Sequence, residues 1–168
     1  MFSKIFPPIH TEGYKFLVIA VFITIVLMVF SSFFGTIGLL LTVWVYYFFR
    51  DPERVIIEDD NYLVSPADGE VNKKFKKISI FMNVFDCHVN RTPCAGTVED
   101  ILYKPGKFLN ASFDKASEDN ERNYYKIKDT SGNNIIVVQI AGLIARRIVC
   151  ETNNGQTLSQ GERICLFF

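Results

Sequence analysis

From Phe16 to Phe49 the chain runs for 34 residues without a single Asp, Glu, Lys, Arg or His. Nothing else in the sequence restricts the fold so strongly, because a stretch of this kind has to leave water. It is too long for a secretory signal, whose apolar region spans roughly 7–15 residues, and no A-x-A cleavage pattern follows it. As one straight helix at about 1.5 Å per residue it would reach ~51 Å, well beyond a hydrocarbon core of ~30 Å. The weak point lies in the middle, where Ser31, Ser32 and Gly35 sit together and Gly38 follows. The pattern therefore predicts two short helices, roughly 14–30 and 37–49, folded into a hairpin that dips into or crosses a bilayer. A single tilted span is the alternative. Lys4 and Lys15 precede the run, and Arg50 and Arg54 follow it. The positive-inside bias then places both ends in the cytoplasm, at the inner membrane, which a hairpin permits and a single span does not. Trp44, Tyr46 and Tyr47 suit an interfacial aromatic belt. The blander reading, a helix pair buried in a soluble protein, would ask the remaining 119 residues to cover it.

Three of the 36 charged residues precede the run, and the other 33 fall in the 119 residues from Arg50 onward. That stretch is compositionally an ordinary soluble domain, so the expected division is 1–50, embedded in membrane, and 51–168, globular. The 18 basic residues balance 18 acidic ones, which argues against a nucleic-acid partner held by a basic field. Cys87, Cys94, Cys150 and Cys165 form no C-x-x-C pair, and His10 and His88 are the only histidines. Reduced thiols and no metal site follow from that inventory. Beyond Pro52 the periodicity is strand-like. Tyr62–Val64 leads into a turn at Ser65–Gly69, and Ile78, Ile80, Met82 and Val84 alternate with the residues between them. Further strands are expected at Thr97–Tyr103, Tyr124–Lys128, Ile135–Ile140, Leu143–Cys150 and Glu162–Phe168, separated by turns at 130–134 and 153–155. No helix of 12 residues or more is expected after residue 50. The fold class is mainly β, a sandwich or barrel-like domain behind a helical hairpin, with Ile80, Met82, Val137, Ile140 and Ile148 in its core.

Few residues there could do chemistry. His88 lies within Phe85–Pro93, at the end of a strand, and shares parity with Met82 and Val84, so it is expected to point inward, where a lone histidine is commonly structural. Asp68 precedes Gly69, and the blander account is a turn residue bonding its own backbone. Arg146 and Arg147, adjacent on an expected strand, would face opposite sides, and solvated or ion-paired arginines are the first reading, with contact to a lipid phosphate by one of them the alternative. No G-x-S-x-G, Walker, H-E-x-x-H or dinucleotide motif is present.

The order of several short segments says more. Phe48–Pro52, Ser65–Gly69, Phe85–Pro93, Pro105–Ala111, Asp114–Ser117, Asn120–Arg122, Gln139–Arg147 and Gly161–Arg163 follow one another along the chain. Together they resemble the bacterial, short-form phosphatidylserine decarboxylases over almost the whole length, including the N-terminal membrane segment. The resemblance implies a proenzyme that cuts itself at a Gly-Ser bond near its C-terminus. Its serine becomes a pyruvoyl group on a small subunit, and the upstream part is the large subunit. Decarboxylation beside an amine leaves a carbanion, and a ketone joined to that amine as a Schiff base can act as electron sink. By resemblance, Asp68 is the acid that works with the cleavage serine, and His88 does acid/base work, orienting the carboxylate or supplying the final proton. Arg91 is a candidate for binding the substrate's carboxylate or phosphate. Phosphatidylserine in the membrane and a pyruvoyl-bearing small subunit are the implied partners.

Two departures stand out. The family runs on from Gly161–Ile164 to Phe-Gly-Ser, whereas Cys165–Phe168 closes this sequence without a Gly-Ser pair. The segment between Gly69 and Ile78 is also shorter than usual. The expectation is a large-subunit equivalent, truncated and inactive by itself, with an exposed sheet edge at Glu162–Phe168. The alternatives are a catalytically inactive, membrane-anchored β-domain binding lipid or a partner, and an anchored scaffold unrelated to lipid chemistry.

Overall fold

A computed structural model describes residues 6–57, 59–74, 77–110 and 116–168. Lys4 and the first half of the Asp114–Ser117 motif lie outside the described residues. The chain divides into two compact units, Met1–Glu53 with Val84–Cys87, and Arg54–Asn83 with His88–Phe168.

The first unit is a helical hairpin. α1 spans Gly13–Phe30 and α2 spans Ser32–Phe48, so the second helix begins five residues earlier than expected. Only Ser31 is extended, and its hydroxyl accepts a hydrogen bond from the Phe33 N–H, capping α2 at once. The glycines expected to break the run lie inside α2. There they allow close approach, Gly35 to Met28 and Gly38 to Thr24, and Thr24 meets Thr42 at 2.9 Å. α1 is long and apolar enough to cross a membrane, with a mean hydropathy of 2.4. Its outer residues, among them Phe22, Val29 and Phe30, are exposed in the protein, as a lipid-facing helix requires.

The second unit is built from antiparallel strands. β1 (Glu70–Lys74) and β2 (Lys77–Phe81) form a separate two-stranded ribbon. β4 (Gly96–Lys104), β5 (Arg122–Asp129), β6 (Asn134–Ile140) and β8 (Thr157–Leu158) form a sheet ordered β6-β5-β4-β8. β3 (Val89–Arg91), β7 (Ile148–Cys150) and β9 (Arg163–Phe167) form a second, ordered β3-β9-β7. The four-residue α3, Ala116–Asp119, is the helix described in this unit. Val98, Tyr125, Ile127 and Leu158 from one sheet pack with Ile148, Ile164 and Phe167 from the other. The Tyr125 hydroxyl donates to the Ile164 carbonyl at 3.0 Å and ties the sheets together. This mainly β architecture behind two apolar helices is the fold class that the sequence predicts.

Details differ. β4 carries a bulge between Val98 and Asp100. The bulge puts Ile101 on the core side with Val98 and leaves Leu102 60% exposed. Tyr62–Val64 is not a strand: Val64 is held by one bond from its N–H to the Pro93 carbonyl, 2.9 Å. The strand expected through Val84 ends at Phe81, and the one expected over Leu143–Cys150 is reduced to its last three residues. Arg146 and Arg147 therefore sit in a loop, where the Arg146 Nε donates to the Leu143 carbonyl, and not on opposite faces of a strand. Of the expected core residues Ile148 is buried, Met82 and Val137 pack at the core margin, and Ile80 and Ile140 are half-buried. The expected edge at Glu162–Phe168 is absent. β9 lies between β3 and β7, and Ile164 through Phe167 are buried.

Candidate functional site

The turn at Ser65–Gly69 and the end of β3 build one cleft of about 570 Å³. The backbone explains the pairing. The Arg91 N–H donates to the Pro66 carbonyl at 2.9 Å, while Thr92 and Gly161–Glu162 exchange two bonds, Thr92 N to Glu162 O at 2.8 Å and Gly161 N to Thr92 O at 2.9 Å. The Ser65 hydroxyl donates to the Ala67 carbonyl at 2.7 Å and closes the turn. Three segments distant in sequence are thereby fixed around the same opening.

Asp68 and Arg91 both line this cleft, along with Arg54–Ile57, Tyr62, Val64 and Val89. Asp68 forms an ion pair with Arg54. The half-buried Arg91 donates from Nη1 to the Gly161 carbonyl at 3.1 Å. Gly161 has φ +74, where glycine is favoured, and a Cβ there would run into the end of the Ile56 side chain. The opening joins an apolar wall to a polar end holding one carboxylate and two guanidiniums. Such a cavity suits an amphiphile with an anionic head.

His88 is not among the cleft-lining residues. It immediately precedes β3, is 4% exposed, and its carbonyl accepts from the Phe167 N–H at 3.1 Å. β3 alternates: Val89 and Arg91 line the cleft, while Asn90 is buried and accepts from Gln139 Nε2 at 2.9 Å. The structure thus brings Asp68 and Arg91 together and places His88 immediately before β3, in the interior. Behind them, burial pushes the Cys165 thiol and the Tyr125 hydroxyl upward, so both stay protonated at neutral pH. Among the described residues no group of three or more His, Cys, Asp or Glu side chains could hold a metal ion.

Arg54 and Gly161 escaped the sequence reading as site residues. Arg54 reads there as a flanking charge of the membrane segment, and its link to Asp68, fourteen residues on, has no periodic signal.

The family described as phosphatidylserine decarboxylase matches residues 41–74 and 70–168, and the two stretches meet in β1. The phosphatidylserine decarboxylase proenzyme of Pelagibacter ubique is 68% identical over 179 residues, spanning 98% of this chain and 83% of its own length. The proenzyme of Ruegeria pomeroyi is 52% identical, covering 95% of this chain and 80% of its own. That of Cereibacter sphaeroides is 49% identical, covering 97% and 77%. A match over most of the sequence, together with relatives of such identity, shows that the chain belongs to the phosphatidylserine decarboxylase family.

Proposed function

We propose that this chain supplies the large-subunit part of an enzyme that converts phosphatidylserine to phosphatidylethanolamine and CO2. The observation that carries the reading is 68% identity to a named proenzyme across 98% of the chain. Asp68, Arg91 and the apolar cleft wall suit a pyruvoyl cofactor and a phospholipid headgroup, because carboxylate, guanidinium and lipid-compatible surface open into one cavity. When bound, the pyruvoyl carbonyl supplies the electron sink for breaking the bond between Cα and the carboxylate. Its precursor would be a serine following a glycine, and no such pair occurs within these 168 residues.

The chain's own residues divide the remaining work. Asp68, held by Arg54, takes the proton from the cleavage serine's hydroxyl. Arg91 meets the anionic headgroup. His88 returns a proton to Cα once CO2 has left, a role that rests on the family resemblance. Residues 1–50 hold the protein in the inner membrane with both flanks cytoplasmic, and residues 51–168 work at that face. The test extends the 168 residues in frame through a Gly-Ser bond. The extended protein should cleave itself and release labelled CO2 from carboxyl-labelled phosphatidylserine, while the 168 residues alone should do neither. A well-folded extended protein that neither cleaves nor releases CO2 would sink the reading.

A further inference from the structure

The β1–β2 ribbon stands apart from both larger sheets. Among the described residues it is hydrogen-bonded to no third strand, and a lone two-stranded ribbon is marginal in water. Its register gives it two unlike faces. On one face Val71 stands opposite Ile80 and Lys73 opposite Ile78, whereas on the other Glu70 pairs with Phe81, Asn72 with Ser79 and Lys74 with Lys77. Three of the four positions on the first face are apolar, and Val71 is 54% and Ile78 63% exposed. Near the tip, Lys74 and Lys77 occupy directly opposed positions with Lys73 next to them. Like charges directly opposite each other destabilise a strand pair. A ribbon with exposed apolar residues on one face and lysines gathered toward its turn is an unfavourable object in water, and a favourable one where hydrocarbon meets anionic headgroups.

We propose that this ribbon is a second membrane contact, docking on a bilayer surface that carries anionic lipid. The inference rests on the reading that α1 and α2 hold the chain at a bilayer. Charge complementarity singles out this occupant: the sequence gathers Lys73, Lys74, Lys76 and Lys77 at the turn end of the ribbon, matching anionic headgroups, while Val71 and Ile78 enter the interface. The contact bears on the cleft. Gly69, which joins Asp68 to β1, packs so closely on Phe81 that a Cβ would lie 2.2 Å from the Phe81 carbonyl oxygen. A docked ribbon therefore carries the Asp68 turn to the surface where the substrate lies.

Hydrogen exchange on the full chain in lipid nanodiscs tests this. One set contains phosphatidylcholine alone, and the other adds phosphatidylglycerol, an anionic lipid that is not the substrate. A lysine close to an anionic surface shifts docking by about fivefold. Amides of residues 70–72 and 78–81 should exchange at least about fivefold more slowly in the anionic discs, and high salt should reverse the slowing. Lys74→Gln with Lys77→Gln should reduce it, and Val71→Ser with Ile78→Ser should abolish it, both while the protein stays in the discs. Equal exchange in the two lipids overturns the proposal. So does slowing in detergent micelles without lipid, which points to a protein contact, and so does slowing by phosphatidylserine alone, which points to headgroup recognition. Failure to enter either disc overturns the anchor reading as well, whereas entry without lipid-dependent slowing overturns this proposal only.

Discussion

Asp68 and Arg54 each leave 39% of their side chain exposed, so water screens the pair and it adds at most ~1 kcal/mol to stability. Its consequence is orientation. In a protein extended through a Gly-Ser bond, Asp68→Ala should abolish self-cleavage without lowering Tm by more than about 4 °C, as a gel of the fragments and a melt will show. His88 predicts the opposite split. His88→Ala should cleave yet lose roughly 10²–10⁴-fold in CO2 release, the usual contribution of a general acid or base. A His88→Ala protein that cleaves and releases CO2 at the full rate would remove His88 from the proton step. The thiols offer a check independent of activity. Cys150 is exposed whereas Cys87, Cys94 and Cys165 are buried, so iodoacetamide should label Cys150 first in the native protein. Because burial raises Cys165, the fold keeps that proton after the unfolded chain begins to release its own near pH ~8.5. Stability is thus complete below about pH 8.5 and falls above it, by up to ~1.4 kcal/mol per pH unit for a thiol that stays protonated. A Tm that holds level from neutral to alkaline pH would contradict this.

Strands were legible where alternation was uninterrupted and illegible where it was broken. β5 and β6 follow the pattern, with Tyr125 and Ile127 buried and Tyr124, Lys126 and Lys128 on the other face. β4 does not, because its bulge at Glu99 shifts the register, and Glu99 then pairs with Lys126 at 2.6 Å on the neighbouring strand. Strict alternation from Val98 would select Leu102 for the core, whereas the structure selects Ile101. Ile101→Ala should accordingly cost about 2 kcal/mol or more, and Leu102→Ala no more than ~0.5, both read from thermal melts. The reverse ranking would place the bulge wrongly. Tyr62–Val64 and Leu143–Arg147 look like strands by composition and are loops, because apolar content says nothing about whether a ladder partner exists. The cleft was half legible: the Ser65–Gly69 turn and Arg91 could be named from sequence, but the Arg54 link depends on tertiary closure alone.

Over the whole molecule, the apolar hairpin and the β-unit were both foreseen, since each announces itself by composition. A topology experiment tests the proposed orientation. Reporters fused at residue 10 and residue 55 should both lie on the cytoplasmic side, and opposite locations would replace the hairpin with a single span. The position of β9 carries a consequence for biosynthesis. β3 and β7 contact each other through β9 alone, and β9 reaches back to Val89 from Leu166. At ~5–20 residues per second, a ribosome needs several seconds to deliver β9 after β3 has emerged. Over that interval β3 has no ladder partner, and the cleft wall containing Arg91 cannot assemble. The hairpin, synthesised first and closed by local contacts, has that time to enter a bilayer if it is the anchor proposed above, and the nascent chain would then be tethered before its β-unit can take shape.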